Sequence, residues 1–236
     1  MQVTILGKTL GCLAAVILLA GSARADLMIT EIVDATLPGG QPKFVELKNI
    51  SGTTLDMSSF SIGNFNNGGT TLGGGASTAL SGSLGPGGIY VVAYEPDAAV
   101  FQSTYGFAPD FMTGAFINGD DVVAIFDGPA TGDGTDANIL DIYGVIGVDG
   151  SGEAWDYTDG YSFRLPTVLS GSSSFNAAEW FIGGANSLET GDDVTELALI
   201  QAVTTPGTHV MIPEPTSLAL MVLAMGFVIT RRRAAR

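Results

Sequence analysis

The sequence predicts an all-β protein built as a β-sandwich. Most of its apolar residues occur in short runs rich in Val, Ile, Phe and Tyr, the composition and length of strands rather than of helices. Turn-forming residues separate these runs, and the chain holds 33 glycines. Strands do not alternate with long helical patterns, and neither heptads nor a fixed-period repeat occur. Doubly wound α/β, coiled-coil and solenoid folds are therefore excluded.

The clearest pair of strands lies in residues 43–62. In its first strand Val45 and Leu47 alternate with Glu46 and Lys48, the period of two that is typical of a strand with one buried face. Asn, Ser and Gly then form a turn, after which an apolar series resumes. We expect Glu46 and Lys48 to lie together on the solvent-facing side, where an ion pair contributes little free energy.

Further strands are expected on both sides of this pair. β-branched and aromatic residues predict them at residues 27–33, 89–94, 139–146, 161–165 and 179–182. Residues 116–126 are predicted to form a hairpin of two strands joined by an Asn-Gly turn. Residues 97–105 fit a short helix, because proline precedes them and glycine follows. We expect residues 192–203 to form either a second helix or a loop.

Residues 64–88 interrupt this series of strands. Gly, Ser, Thr and Asn dominate the stretch, and Leu72, Leu80 and Leu84 are its apolar anchors. This composition predicts a loop insertion that runs over the surface rather than through the core.

Residues 1–25 have the pattern of a secretory signal peptide. Lys8 precedes an apolar run, and Ala23 and Ala25 supply the small residues that a signal peptidase requires. Cleavage after Ala25 leaves a sandwich domain that we expect to span residues 26–210.

The exported segment has no cysteine and a strong negative charge. Cys12, the one cysteine of the chain, lies within the signal peptide, so the domain must be held by its core alone. Residues 26–212 contain 23 acidic residues and three basic ones, Lys43, Lys48 and Arg164, a net charge of −20. Such a surface repels phosphate backbones, which argues against a nucleic-acid partner.

Residues 211–236 carry a three-part pattern of a proline-flanked glutamate, an apolar helix predicted over 216–230, and a basic end. The residues that mark it are Pro213, Glu214, Pro215, Arg231, Arg232 and Arg233. The prolines favour an extended chain, and the apolar run is a little shorter than the ~20 residues that span a bilayer comfortably. The arginines favour the cytoplasmic side of the membrane.

This pattern resembles the PEP-CTERM sorting signal. The resemblance implies an exosortase as processing partner, a transient stay in the inner membrane, and delivery to the surface or matrix of a Gram-negative bacterium that makes exopolysaccharide. An ordinary tail anchor is the alternative interpretation.

A second set of motifs, in order along the chain, resembles the lamin-tail domain family. The motifs are Ile29-Thr30-Glu31-Ile32, Phe44-Val45-Glu46-Leu47-Lys48-Asn49, Leu55 to Ile62, Gly119 to Asp127, Gly160 to Phe163, Trp180 and Thr205-Pro206-Gly207. The resemblance implies an immunoglobulin-like β-sandwich that serves as a binding or structural module.

One acidic loop is a candidate calcium site. Its oxygen-bearing side chains are Asp127, Asp133, Asp136, Asn138 and Asp141. Calcium takes six to eight such oxygens at flexible spacing, although the order of an EF-hand loop is missing. Solvated turns are the simpler interpretation.

Other chemistry is less clearly indicated. His209 has no second histidine or cysteine with which to share a metal, and we expect it to be a linker residue. Glu153, Asp156 and Asp159 lie near Trp155, an arrangement that a glycosidase could use, although core packing of the tryptophan is the simpler interpretation.

We therefore expect an exported, non-enzymatic surface or matrix protein with a structural or adhesive role. Exopolysaccharide or other surface proteins would be its partners, and it would need no cofactor. A calcium-dependent adhesion module and a secreted hydrolase of matrix polymer are the alternatives.

Overall fold

The computed structural model describes residues 26–94, 98–114 and 117–212, and within these ranges the chain is mainly β-sheet with two α-helices. The all-β expectation is confirmed. The strands are β1 Leu27–Leu37, β2 Gln41–Asn49, β3 Leu55–Asp56, β4 Phe60–Phe65, β5 Thr78–Ala79, β6 Ser83–Leu84, β7 Ile89–Tyr94, β8 Phe111–Thr113, β9 Val122–Asp127, β10 Asn138–Tyr143, β11 Tyr161–Arg164 and β12 Trp180–Ile182. The helices are α1 Ala98–Tyr105 and α2 Asp193–Val203.

Both predicted targeting segments lie outside the described residues. These are the signal peptide with Ala23 and Ala25, and the tail with Pro213, Glu214, Pro215, Arg231, Arg232 and Arg233. Among the residues that the structure does describe, no helix is long and apolar enough to cross a membrane.

Two sheets face each other across one apolar core. The larger has the order β12-β11-β1-β2-β7-β8, and the smaller has the order β10-β9-β4-β5. All pairings in them are antiparallel except that of β7 with β8. A short β3-β6 pair closes one side and contributes Leu55 and Leu84 to the core.

The central strands are buried on both faces. Ile32 and Val45 pack between the sheets, whereas Val33 and Phe44 pack on the outer face of the larger sheet under the helices. The predicted alternation of β2 is therefore correct.

The expected surface pair, however, is wrong. Glu46 is 1% exposed and Lys48 is 8% exposed. Helices and the segment that follows them cover the face that the alternation assigned to solvent.

The two helices form a third layer over the larger sheet. Phe101 of α1 and Ile200 of α2 are fully buried in the same cluster as Phe44. Residues 192–203 are thus helical, and Asp192 caps α2 by accepting a hydrogen bond from the Thr195 N–H at 3.0 Å.

Residues 64–88 are part of the domain rather than a surface excursion. Leu72, Leu80 and Leu84 are 7% exposed or less and belong to the core between the sheets. β5 and β6 both lie in this stretch and pair with β4 and β3. The prediction failed because three widely spaced leucines produce no periodic pattern.

The predicted hairpin over residues 116–126 forms only in its second half, as β9. The described residues before it form a loop that Asp121 holds, because its carboxylate accepts from the N–H groups of Asn67 at 3.0 Å and Asn118 at 3.2 Å.

A buried ion pair joins the two sheets. The Nη2 of Arg164, at the end of β11, donates to both oxygens of Asp141 in β10 at 2.9 Å. The Arg164 Nε donates to the Ile29 carbonyl at 2.9 Å, and the Ile29 N–H donates to Asp141 at 2.7 Å. β11 pairs with β1 only at residues 31–33 of β1. At Ile29, beyond the end of this pairing, the side chains of Arg164 and Asp141 supply the hydrogen bonds to the main chain of β1.

Arg164 is held on its remaining sides as well. Its Nη1 donates to Glu179 at 3.0 Å, and its guanidinium lies 4.4 Å from the centre of the Trp180 ring. At 1% exposure the charge has little contact with water, so its stability in this position depends on these partners.

Replacing Arg164 by Met should lower the free energy of unfolding by about 3–5 kcal/mol, because Asp141 is left as a buried carboxylate without its counter-ion. Chemical denaturation followed by tryptophan fluorescence measures the change.

The double variant R164M/D141L is the matched control for that substitution. It should recover part of the loss, since neither charge then remains buried. An R164M protein as stable as the wild type would contradict the structural role of the pair.

Candidate functional site

A polar pocket of about 170 Å³ lies on the outer face of the larger sheet, beneath the segment that follows α2. Acidic, basic and hydroxyl side chains meet there. Its lining residues are Thr30, Glu31, Glu46, Phe163, Arg164, Pro166, Thr205, Thr208, His209 and Val210.

Two glutamates form the floor of this pocket. Glu31 of β1 and Glu46 of β2 are cross-strand partners, and they are 2% and 1% exposed. A bulge at Thr30 shifts the register between the strands at this point. The bulge places the Thr30 side chain next to Glu46, and the Thr30 hydroxyl donates a hydrogen bond to the Glu46 carboxyl group at 2.5 Å.

The segment that follows α2, residues 205–209, is here called the closing segment. Its main-chain N–H groups donate hydrogen bonds to both acidic side chains. The Thr205 N–H donates to the two oxygens of Glu31 at 2.9 and 3.2 Å. The Gly207 N–H donates to Glu46 at 2.6 Å. The Thr-Pro-Gly turn is thereby fixed to the centre of a sheet formed more than 150 residues earlier in the chain.

Burial changes the acidity of the pair. It raises the pKa of Glu31 to about 8, with the charge of Glu46 adding to the rise and the Thr205 N–H opposing it. Burial also raises the pKa of Glu46, against the hydrogen bonds that it accepts. Near neutral pH the Glu31 carboxyl therefore keeps its proton, which avoids two like charges side by side.

Lys48 and His209 complete the contacts of the closing segment. Lys48 Nζ donates to the carbonyls of His209 at 2.8 Å and Gly87 at 3.1 Å. Desolvation, together with the charges of Lys48 and Arg164, lowers the pKa of His209 to about 4, so the imidazole is neutral near pH 7. His209 is half-buried within the domain, and the expectation of a linker histidine is wrong.

The polar groups of this site attach the closing segment to the larger sheet. Both glutamates accept main-chain hydrogen bonds, and Lys48 donates to main-chain carbonyls. The contacts with the Thr205 and Gly207 N–H groups and with the His209 carbonyl hold residues 205–209 against the sheet. The Ile212 N–H extends the attachment by donating to the Pro166 carbonyl at 2.5 Å.

The structure does not gather the five candidate calcium ligands into one site. Asp127 and Asn138 face each other at the ends of β9 and β10. Asp133 accepts from Thr135 at 2.7 Å, and Asp136 accepts from Thr131 at 2.8 Å, both within the exposed loop. Asp141 is fully buried and belongs to Arg164.

Within the described ranges, no group of three or more His, Cys, Asp or Glu side chains could hold a metal ion. Asp141 was predicted to belong to the acidic loop because it follows the loop directly in the chain. In the structure it lies in β10, and its side chain is buried in the interior.

The second set of acidic residues, near Trp155, is structural in the same way. Asp156 accepts from the N–H groups of Gly152 at 2.8 Å and Thr158 at 2.9 Å. Trp155 is 4% exposed and packs edge-on against Tyr143, with 6.2 Å between ring centres. The interpretation of Trp155 as a core residue is confirmed.

The sequence alone did not predict the roles of Glu31 and Arg164. The signal available for Glu31 is an acidic residue in the predicted strand over residues 27–33, whose other residues except Thr30 are apolar. For Arg164 it is the rarity of arginine, since residues 26–212 contain no other. Neither signal identifies the partner, which lies far away in the chain.

The family model described as Lamin Tail Domain matches residues 20–146, just over half of the chain. The match ends after β10, and β11, β12 and α2 follow it. No curated protein matches the chain.

The raised pKa of Glu31 predicts how stability depends on pH. Between about pH 4.5 and 8 the unfolded chain releases this proton while the folded protein keeps it, so the free energy of unfolding falls as the pH rises. Across that window the contribution is on the order of 3–5 kcal/mol, from about 1.4 kcal/mol for each unit of pKa.

Glu31→Gln should therefore unfold with a shallower pH dependence than the wild type, measured by urea denaturation from pH 4.5 to 8. Glu189→Gln, which alters an exposed glutamate, is the control and should keep the wild-type slope. Equal slopes for Glu31→Gln and the wild type would show that Glu31 titrates normally.

Proposed function

The chain belongs to the lamin tail domain family, and on that premise we propose that it is an exported, non-enzymatic protein of the cell surface or extracellular matrix with a structural or adhesive role. The family is immunoglobulin-like and non-catalytic, which is compatible with such a role.

The observation that carries the proposal is the use of the buried carboxylates. Glu31 and Glu46 hold the closing segment, and Asp141 holds Arg164 and the Ile29 N–H. Asp121 holds its loop, and Glu196 accepts from the N–H groups of residues 190 and 191 at 2.9 Å. A hydrolase needs an acid or base that is directed at a substrate, whereas these side chains are bound to main-chain N–H groups and, for Asp141, also to Arg164.

The tail supports export and sorting. The motif Pro213, Glu214 and Pro215 follows directly after Ile212, the residue whose N–H is bound to the folded domain. In the proposal, the domain folds outside the inner membrane while the apolar run holds it there, and an exosortase processes the chain near the motif.

The outer surface of the domain supports a matrix location. Its three basic side chains are 14% exposed or less and contact acidic groups or main-chain carbonyls. The solvent-facing charge of residues 26–212 is therefore almost entirely negative, which favours solubility and repels other polyanions. Neutral segments of exopolysaccharide or other surface proteins are the partners that we propose.

Expression in its own cells tests this proposal. Protein recovered from the surface fraction should start after Ala25 and end near Pro213, as read by intact mass. Replacing Pro213, Glu214 and Pro215 by Ala should leave the protein in the membrane fraction with Arg231, Arg232 and Arg233 still attached.

A triple alanine substitution of exposed residues within the domain, at Ser173, Ser174 and Asn176, is the control and should be processed as the wild type. Wild-type protein that keeps its arginines in the membrane would contradict sorting. Turnover of glycan or nucleic-acid substrates by the purified protein would contradict the non-enzymatic role.

A further inference from the structure

A lysine and an aspartate face each other inside the sandwich at the closed end of the β1-β2 hairpin. Asp34 and Lys43 are cross-strand partners and point to the same side of the sheet as the core residues Ile32 and Val45. Lys43 Nζ contacts Asp34 Oδ1. The Asp34 side chain is 2% exposed and that of Lys43 is 14% exposed, so the pair is largely removed from water.

The surrounding residues fix the carboxyl group of Asp34 in one orientation. Its Oδ2 accepts from the Asp159 N–H at 3.3 Å. Gly119, in the loop before β9, closes the site: its backbone has a φ of +83°, and a Cβ there would lie 2.8 Å from Asp34 Oδ2 and 2.1 Å from the Thr158 Cα. A side chain at Gly119 has no room, and the Asp34 carboxyl is held against Lys43.

A second buried acid, Asp121, lies two residues after Gly119 in the same loop. Asp121 is 2% exposed, and the charge of Asp34 is among the causes that raise its pKa to about 6, after burial. Burial raises the pKa of Asp34 itself to about 6, although Lys43 opposes the rise. The site therefore combines an amine, a carboxyl that binds protons readily, and a neighbouring carboxyl that can accept and return a proton.

We propose that Lys43 and Asp34 condense to form an isopeptide bond between β1 and β2. The ammonium group first gives one proton to the carboxylate, so that a neutral amine faces a neutral carboxylic acid. Nζ then forms a bond to Cγ, the bond from Cγ to the hydroxyl oxygen breaks, and that hydroxyl leaves as water with a second proton from Nζ. Asp121 carries this proton.

The reaction needs no oxidant, reductant or activated co-substrate. One ammonium and one carboxylate become one amide and one water, so charge and atoms balance. The driving force lies in the burial: an ion pair in an apolar site carries a desolvation penalty of several kcal/mol for each charge, and the neutral amide does not. Water, the product, is released towards the partly exposed side of Lys43.

The bond would secure the hairpin covalently in a domain whose described residues contain no cysteine. It closes a short loop, so its effect on the free energy of unfolding is smaller than that of a link between distant residues. Its consequence is local: β1 could not separate from β2 at this end of the sheet.

Intact mass spectrometry of the purified full chain tests the proposal. The wild type should be lighter than its sequence by one water molecule. Trypsin should fail to cut the denatured protein after Lys43, and the peptide ending at Lys48 should carry the same mass deficit. A wild-type protein of full mass that is cut after Lys43 would show an ion pair only and overturn the proposal.

Two variants assign the bond to its residues. Lys43→Arg keeps the positive charge but cannot form the amide, and it should have the full mass of its sequence. Asp121→Asn should keep the fold while the mass deficit appears more slowly or not at all. Glu189→Gln, which alters an exposed glutamate, is the control and should keep the deficit. A deficit that persists in Lys43→Arg would exclude Lys43 as the amine.

Discussion

Hydrogen bonds from main-chain N–H groups to buried acidic side chains are the interaction on which this domain depends. Asp141 accepts from Ile29 and Ser172, Glu31 from Thr205, and Glu46 from Gly207. These bonds join segments that lie up to 174 positions apart in the chain. Each buried acid carries a desolvation cost, which the bonds it accepts offset, so removing one partner leaves that cost uncompensated.

The same arrangement determines how charge is distributed between the interior and the surface of the domain. The basic residues of the domain serve as internal partners, and the acidic residues that remain cover the outside. Acids whose pKa is raised by burial retain protons that the unfolded chain releases, which makes the fold more stable in mildly acidic than in alkaline solution. The negative surface charge of the domain favours solubility, and the buried acids and their partners hold its shape.

The local pattern of the sequence was sufficient for the class of fold and for most of the strands, but not for the short strands β5, β6 and β8. Alternation correctly placed Val45 and Leu47 between the sheets, because neighbouring residues alone decide which face a strand buries. It could not show that Glu46 is buried, since the segment that covers it follows α2. The burial of Asp141 was hidden for the same reason, because its partner Arg164 lies on a different sheet. Sequence neighbours made Asp141 look like part of an acidic loop.

Amide hydrogen exchange at single residues tests the central claim most directly. The N–H groups of Ile29, Thr205 and Gly207 have carboxylates as acceptors, and we expect them to exchange as slowly as that of Val92 in the middle of β7. The Thr135 N–H, bound to the exposed Asp133, is the fast reference within the same protein. Exchange of Thr205 and Gly207 at the rate of Thr135 would show that the carboxylates do not hold the closing segment, and would contradict this account.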